Sequence, residues 1–386
     1  MPLRPSTWLT AEQRAFTDSV LRFACDQLDD PGLRQRDVTG EFWSEGWRRS
    51  AAMGLCGLPA PEAFDGSGAD RVTTAAALEA LGYGCADFGL TFSINAHLWS
   101  SVVPLWQHGT PDQQERYLAK LCRGEWIGLH AMTEPGSGSD AFGLRTTATR
   151  TDDGWVLNGR KTFITNSPLA DLFIIFARSP GSEGPFGVSA FLVEAGAPGL
   201  EVEQAIDKLG LRTSPMAEIA LTDVAVAPES LLGREGRGAK VFATSMEWER
   251  SLIMAAQLGA VARALDDSVL YARERQQFGV PISSFEAVAD RLVDTHAALE
   301  AARALLYDTA VALDRGETDA GRSALVKLVA SEAALRGMLD LLQVHGGYGY
   351  TTEVGIERRL RDAIGGRIYS GTSDLMRRVI AREMGL

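Results

Sequence analysis

The apolar positions change their period twice along the chain. Up to about residue 127 they recur at helical spacing. Phe16, Val20, Phe23 and Leu28 follow Thr10 and Gln13, a Thr-x-x-Gln capping box that predicts a helix start. "TPDQQERYLAKLCRG" carries similar signals, with Thr110 as cap, Asp112 in the first turn and Gly124 as stop. From about 128 to 232 the texture differs. "GWVLNGRKTFITN", "DLFIIFARS", "VSAFLVEAG" and "AEIALTDVAV" are short runs rich in Val, Ile and Phe, separated by Gly, Pro, Asn and Asp. They predict a β-domain of about six to eight strands. After about residue 236 longer helical stripes return. Ala255, Leu258, Val261, Leu265 and Val269 form one, and Leu325, Leu328, Leu335, Leu339 and Leu342 a second. Pro281 and the pair Gly346-Gly347 break these helices. The expected fold is mainly α with a central β-domain: an N-terminal helical domain over 1–127, a β-domain over 128–232 and a C-terminal four-helix bundle over 233–386.

Composition narrows the function classes. The chain has 386 residues, enough for two or three domains, and is 45% hydrophobic and 23% charged, a soluble globular profile. Its net charge of −12 gives no electrostatic reason to expect nucleic-acid binding. Cys25, Cys56, Cys85 and Cys122 contain no CxxC spacing, so reduced, mostly buried thiols in a cytoplasmic protein are expected. The histidines His97, His108, His130, His296 and His345 show no HxxxH or HxH spacing, and no metal site is expected. "MPLRPSTWLTAEQRAF" lacks the continuous apolar core of a signal peptide, and no window reaches 18 uncharged apolar residues, so no membrane association is expected.

Four stretches carry candidate chemistry. "AMTEPGSGSD" (131–140) offers hydroxyls and backbone N–H groups in a chain loosened by Gly136 and Gly138. Such a loop cradles an anionic or carbonyl-rich ligand, or is a plain surface turn. In "LNGRKTFITN" (157–166) strand alternation puts Phe163 and Thr165 on one side. A ring beside a hydroxyl suits a flat heteroaromatic ligand; a half-buried strand is the plainer alternative. "ARERQQFGVPI" (272–282) presents Arg275, a bidentate fork for phosphate or a solvated helix end. "QVHGGYGY" (343–350) has glycines that permit close backbone approach.

In this order, and with the tail "RDAIGGRIYSGTSDLMRRVIARE" (361–383), these stretches resemble the acyl-CoA dehydrogenase family across nearly the whole chain. The resemblance implies a barrel-like middle domain, FAD as cofactor and α,β-dehydrogenation of an acyl thioester, in which a base takes the α-proton while the β-hydride moves to flavin N5. It puts Met132, Thr133 and Ser139 along the flavin's pyrimidine side and pyrophosphate, Phe163 against the isoalloxazine, and Thr165 near its N5 and O2 edge. Arg275 and Gln277 would reach the pyrophosphate of a flavin held by a neighbouring subunit, with Phe278 by the adenosine. Gln343, Gly346 and Gly347 would meet adenine and ribose, and Thr372 and Asp374 complete that pocket. The family often has Trp at the place of Phe163, and more often Glu, Asn or Gln at that of Asp374. Sharing across subunits implies a homo-oligomer, commonly a tetramer.

One position departs from the commonest pattern. The family's catalytic carboxylate often sits two residues before the Thr of a Gly-Thr pair, and here that place holds Ser370. A hydroxyl is too weak a base unless activated, and "IYSGTS" offers no His or Lys beside it. A carboxylate of raised pKa in a water-poor pocket is the natural base. Some subgroups carry it on an earlier helix in a Glu-Arg pair, with a small residue in the tail. "SMEWERSLIMAAQLG" supplies Glu249-Arg250, so Glu249 is the expected base and Arg250 an ordering cation; a solvent-facing helix Glu is the alternative. Glu247 lies nearly opposite on the helix, so only one of the two can face the flavin.

"FSINAHLWSSVVPLW", "SMEWER" and "GGRIYSGTSD" resemble the subgroup that oxidises acyl or aminoacyl groups, prolyl included, on carrier proteins. That resemblance puts His97 and Trp99 near the substrate mouth, with core packing as the alternative. The expected substrate partner is acyl-CoA or an acyl or peptidyl carrier protein, and the electron acceptor is oxygen or an electron-transfer flavoprotein. Competing readings on the same fold are a flavin monooxygenase, a nitroalkane-type oxidase, and a binding protein without catalysis.

Overall fold

The computed structural model describes residues 7–317 and 320–386. Helix α1 (Ala11–Gln27) begins at a complete capping box: Thr10 Oγ1 accepts from the Gln13 N–H at 3.2 Å, and Gln13 Oε1 accepts from the Thr10 N–H at 2.9 Å. Helix α2 (Arg71–Gly84) is capped by the Asp70 carboxylate, which accepts from the Thr73 N–H at 2.7 Å. Helix α3 (Phe88–His97) follows. The segment after Thr110 is helical, again with a capping box, and the chain leaves it at Gly124 with φ 62°.

The β-domain consists of β1 (Gly128–Ala131), β2 (Thr147–Thr151), β3 (Gly154–Thr165), β4 (Leu172–Arg178), β5 (Val188–Glu194), β6 (Leu200–Ala205), β7 (Met216–Val226) and β8 (Leu231–Leu232). They form one sheet in the order β6-β7-β3-β2-β4-β5-β8, with β1 parallel to β4. Strand β4 shows why the sheet is central. Leu172, Ile174 and Phe176 pack on one side with Val102, Leu105 and Leu118 of the preceding helical region, while Phe173 and Ile175 pack on the other with Leu157, Phe191 and Ile219 of neighbouring strands. A strand buried on both faces has no reason to alternate, and "LFIIF" does not.

Among the described residues five α-helices follow: α4 (Gly238–Glu274), α5 (Glu286–Asp314), α6 (Ala320–His345), α7 (Ile356–Gly365) and α8 (Ser373–Glu383). Helices α4, α5 and α6 pack on one another, and α7 and α8 pack against α6. The 37 residues of α4 span about 55 Å. The helix crosses α2 with almost no side-chain spacer. A Cβ on Gly82 would stand 1.9 Å from the Ala256 carbonyl oxygen, and one on Gly259 would stand 2.0 Å from that of Glu79. This double glycine contact sets α4 close against the N-terminal helices.

Two expectations need correction or refinement. The leucine stripe on α6 is not its buried face: Leu325 and Leu339 are 38% and 50% exposed, and Ala324, Val326, Lys327, Ala330, Ala334, Met338 and Leu341 are buried instead. Small side chains let α6 lie close to its neighbours, and close approach rather than leucine content selects the inner face. All four cysteines are free; Cys25 is exposed and the other three are buried. Among the described residues no helix is long and apolar enough to cross a membrane, and no cluster of three or more His, Cys, Asp or Glu could hold a metal.

Candidate active site

Helix α4 carries Glu249 to a short strap, Tyr369 to Gly371, that joins α7 to α8. The Ser370 hydroxyl donates to a Glu249 carboxylate oxygen. Two of the strap's carbonyls are also held. Arg250 Nε donates to the Ser370 carbonyl at 3.3 Å, and Lys327 Nζ, from α6, donates to that of Gly371 at 2.5 Å. Ser370 has φ 56° and Gly371 φ 96°. Positive φ is uncommon for a residue with a Cβ, so the strap is held in a conformation the chain does not favour. Tyr369 tilts against Phe92 at 4.7 Å, with Lys327 Nζ 5.7 Å from its ring centre.

The electrostatics suit a base. Glu249 is only partly exposed, and burial raises its pKa, opposed by the Ser370 hydrogen bond and by Arg250 and Lys327. Lys327 is fully buried; burial lowers its pKa to about 8, against the pull of Glu249. A carboxylate with raised proton affinity and three groups ordering it is equipped to take a proton. Glu247 turns elsewhere. It accepts from Arg71 Nη2 on α2 at 2.8 Å, and that guanidinium lies 4.2 Å from the Trp248 ring centre.

The residues expected around a flavin fall into separate groups. A cleft of about 680 Å³ gathers Arg275, Gln277, Phe278, Gly346 and Gly347, with Ile282, Phe285, Val288 and Val344 as an apolar floor. Arg275 lies over Tyr348 at 5.7 Å, and Phe278 is 93% exposed. Buried in the wall, His345 Nδ1 has no hydrogen-bond partner among the described residues. A cation, glycine backbone, bare aromatic rings and an unfilled polar atom fit the adenosine and pyrophosphate of FAD. Gln343 is exposed beside the cleft and does not line it.

None of Met132, Thr133, Ser139, Phe163 or Thr165 lines that cleft. Phe163 is 60% exposed on β3, Ile164 is buried and Thr165 half-buried, so ring and hydroxyl share the open face. A bulge interrupts the strand here. The β3–β7 register shifts between Lys161 and Ile164, Phe163 has φ 56°, and Lys161 and Thr162 are both buried. An open aromatic ring there fits the flat ring system of FAD. Thr133 is half-buried and Ser139 exposed, whereas the Met132 side chain is turned into the core. Thr372 caps α8, accepting from the Leu375 N–H at 3.1 Å, and Asp374 is exposed and pairs with Arg377 at 3.1 Å.

His97 and Trp99 are core residues, not a mouth. Both are fully buried. His97 Nδ1 accepts from the Gly128 N–H at 3.0 Å, which leaves Nε2–H to donate to the Leu121 carbonyl at 3.1 Å, and burial pushes the ring's pKa down to about 4. Trp99 donates to Asn95 at 3.3 Å and stacks on Trp248 at 6.1 Å. Polar atoms in an apolar run mark a satisfied core site as readily as a binding site.

Two buried lysines escaped the motif reading. Lys327 is one. The other is Lys161, whose Nζ donates to Glu134 at 2.8 Å and to the Met132 carbonyl at 3.3 Å beneath the 131–140 loop. Glu134 also accepts from the N–H groups of Arg145 and Thr146, at 2.6 and 2.9 Å, and from the Thr146 hydroxyl at 2.5 Å. For Lys327 the signal was present, one lysine inside the otherwise apolar run "SALVKLVA", whereas Lys161 stands between Arg160 and Thr162 and gives no such signal.

Comparison with known proteins places this geometry. The family models described as the N-terminal, middle and C-terminal domains of acyl-CoA dehydrogenase match residues 10–125, 130–224 and 236–385. The chain is 40% identical, over 98% of its length and 98% of the relative's, to an L-prolyl-[peptidyl-carrier protein] dehydrogenase from Serratia. It is 35% identical to the mitochondrial isovaleryl-CoA dehydrogenase of Oryza sativa, over 96% of this chain and 91% of that one. Among solved structures it resembles the prolyl acyl carrier protein oxidase AnaB, with 42% identity, a TM-score of 0.96 and coverage of 98% and 100%. PigA with FAD and proline follows at 39% identity and a TM-score of 0.95, covering 98% of each chain. The chain belongs to the acyl-CoA dehydrogenase family, FAD-dependent oxidoreductases that act on CH–CH bonds of acyl thioesters.

Proposed function

We propose that the chain dehydrogenates a prolyl-type aminoacyl thioester on a carrier protein, with Glu249 as the base that takes the α-proton. The observation that carries the reading is the partly buried Glu249 carboxylate, of raised pKa and held by Ser370. The similarity to a prolyl-carrier-protein dehydrogenase and to AnaB, over almost the whole chain, supports the substrate class.

When bound, FAD supplies the acceptor for the β-hydride. Phe163 and Thr165 would hold its ring system, and Arg275, Gln277, Phe278, Gly346 and Gly347 its adenosine and pyrophosphate end. These groups stand apart in one chain, which supports a flavin shared between copies in a homo-oligomer, a tetramer on the family pattern. Glu249 receives the α-proton, and the same burial that raises its pKa makes the protonated product favourable. Before the transfer, the Ser370 hydroxyl keeps one carboxylate oxygen in place. Arg250 and Lys327 fix the strap from which that hydroxyl reaches. Tyr369 of the strap packs against Phe92 of α3.

The test is anaerobic flavin bleaching with a panel of thioesters. L-Prolyl carrier protein should bleach the flavin fastest, and straight-chain acyl-CoA slowly or not at all. Equal or faster bleaching by acyl-CoA overturns the carrier assignment. A Glu249→Gln variant that binds FAD yet bleaches at the wild-type rate overturns the base.

A further inference from the structure

Lys327 is a buried cation whose only hydrogen bond among the described residues goes to a carbonyl, that of Gly371. A buried ammonium without a carboxylate partner is costly, and a methionine would fill the same space more cheaply. The position therefore asks for a reason. The strap supplies one. It holds two successive residues at positive φ, the first of them a serine, and such a conformation persists only where the surroundings impose it. Arg250 holds one strap carbonyl and Lys327 the next, from two different helices. Between those two anchors the Ser370 hydroxyl is delivered to Glu249.

We propose that Lys327 is a positioning residue for the base. Its ammonium pins the strap so that Ser370 donates to Glu249, and it gives the carboxylate a second cation beside Arg250. The inference rests on Glu249 being the base. The groups that act on that carboxylate are Ser370 from the strap, Arg250 from α4 and Lys327 from α6, and burial, with Glu249 adding to it, raises the pKa of Tyr369. Glu332, further along α6, acts on Lys327. Removing the ammonium leaves Glu249 with one cation and a loosened donor, and both changes favour its protonated form.

The experiment compares Lys327→Met, Lys327→Gln and Lys327→Arg in FAD-loaded protein, by the rate of anaerobic flavin reduction across pH. Gln keeps a polar donor without charge, and Arg keeps the charge. Under the proposal, Met and Gln move the acid limb of the profile upward by about one pH unit, which is about tenfold in rate on that limb, and Arg restores it. An uncharged variant with full flavin content and an unmoved acid limb overturns the proposal. Failure of both uncharged variants to yield flavin-loaded protein, with Arg normal, assigns Lys327 a structural role and overturns it too. Glu249→Gln, run in parallel, separates the two ideas: if its flavin is reduced normally, the base assignment has failed rather than the role of Lys327.

Discussion

The molecule contains two buried lysine–glutamate sites that use the same residue types for opposite ends. In the β-domain, Lys161 bonds directly to Glu134, and the N–H groups of Arg145 and Thr146 and the Thr146 hydroxyl also donate to that carboxylate. Burial pushes the Glu134 pKa up, but Lys161 and the hydrogen bonds outweigh it, and the net shift is downward. In the C-terminal domain, Lys327 bonds to a carbonyl and leaves Glu249 with one hydroxyl donor, and there burial wins and the pKa rises. Both lysines are lowered to about 8. The difference lies in whether the carboxylate is fully satisfied. A closed pair is a rivet under the 131–140 loop, whereas an open carboxylate is available for proton transfer.

The largest effect should come from Glu249→Gln. Anaerobic flavin reduction should fall by about 10²–10⁴-fold with FAD still bound. Applied to the other site, Glu134→Gln should leave reduction per bound flavin nearly unchanged. Lys161→Met should instead destabilise the protein by about 3–5 kcal/mol in denaturant unfolding, because it strands a buried carboxylate. The double change Lys161→Met with Glu134→Leu should recover much of that loss. If the single variant is as stable as wild type, the pair is no rivet.

The two sites should also respond oppositely to pH. The folded pKa of Glu134 lies below its ordinary 4.5, so its stabilisation is complete above that value and is lost as pH falls through the lower, folded one. The raised pKa of Glu249 disfavours its charged form in the folded state, so protonating it as pH falls relieves that cost while removing activity. A rate profile whose acid limb lies at or below the ordinary carboxylate value would break the contrast. Ser370→Ala should have a smaller effect. Its hydrogen bond lowers the Glu249 pKa, so its loss should move the acid limb upward by less than about one unit and leave the plateau rate near wild type. Glu247→Gln should do least, changing stability by less than about 1 kcal/mol, since Arg71 keeps Asp314 at 3.7 Å and its place over Trp248.

What was legible follows from range. The capping box at Thr10 and the cap at Thr110 read correctly because the partners lie within one turn. The exchange of a tail carboxylate for Glu249 could be raised as an expectation because the tail and the Glu-Arg pair are each short strings. His97 left two readings open because a satisfied core histidine and a site histidine look alike in one dimension. The leucine stripe of α6 misled for a similar reason: period identifies a face but not which neighbour covers it.

The sequence by itself determined the order of helical and strand regions, the helix starts, and the short strings that carry the family's chemistry, because each is set by contacts within a few residues. The tertiary structure decided which carboxylate is satisfied and which stays open. Ser370 and Glu249 stand 121 residues apart, and Lys327 reaches a carbonyl 44 residues away. Burial raises the proton affinity of both carboxylates, and whether the net shift is up or down depends on the donors and cations those distant segments bring, which no local pattern records.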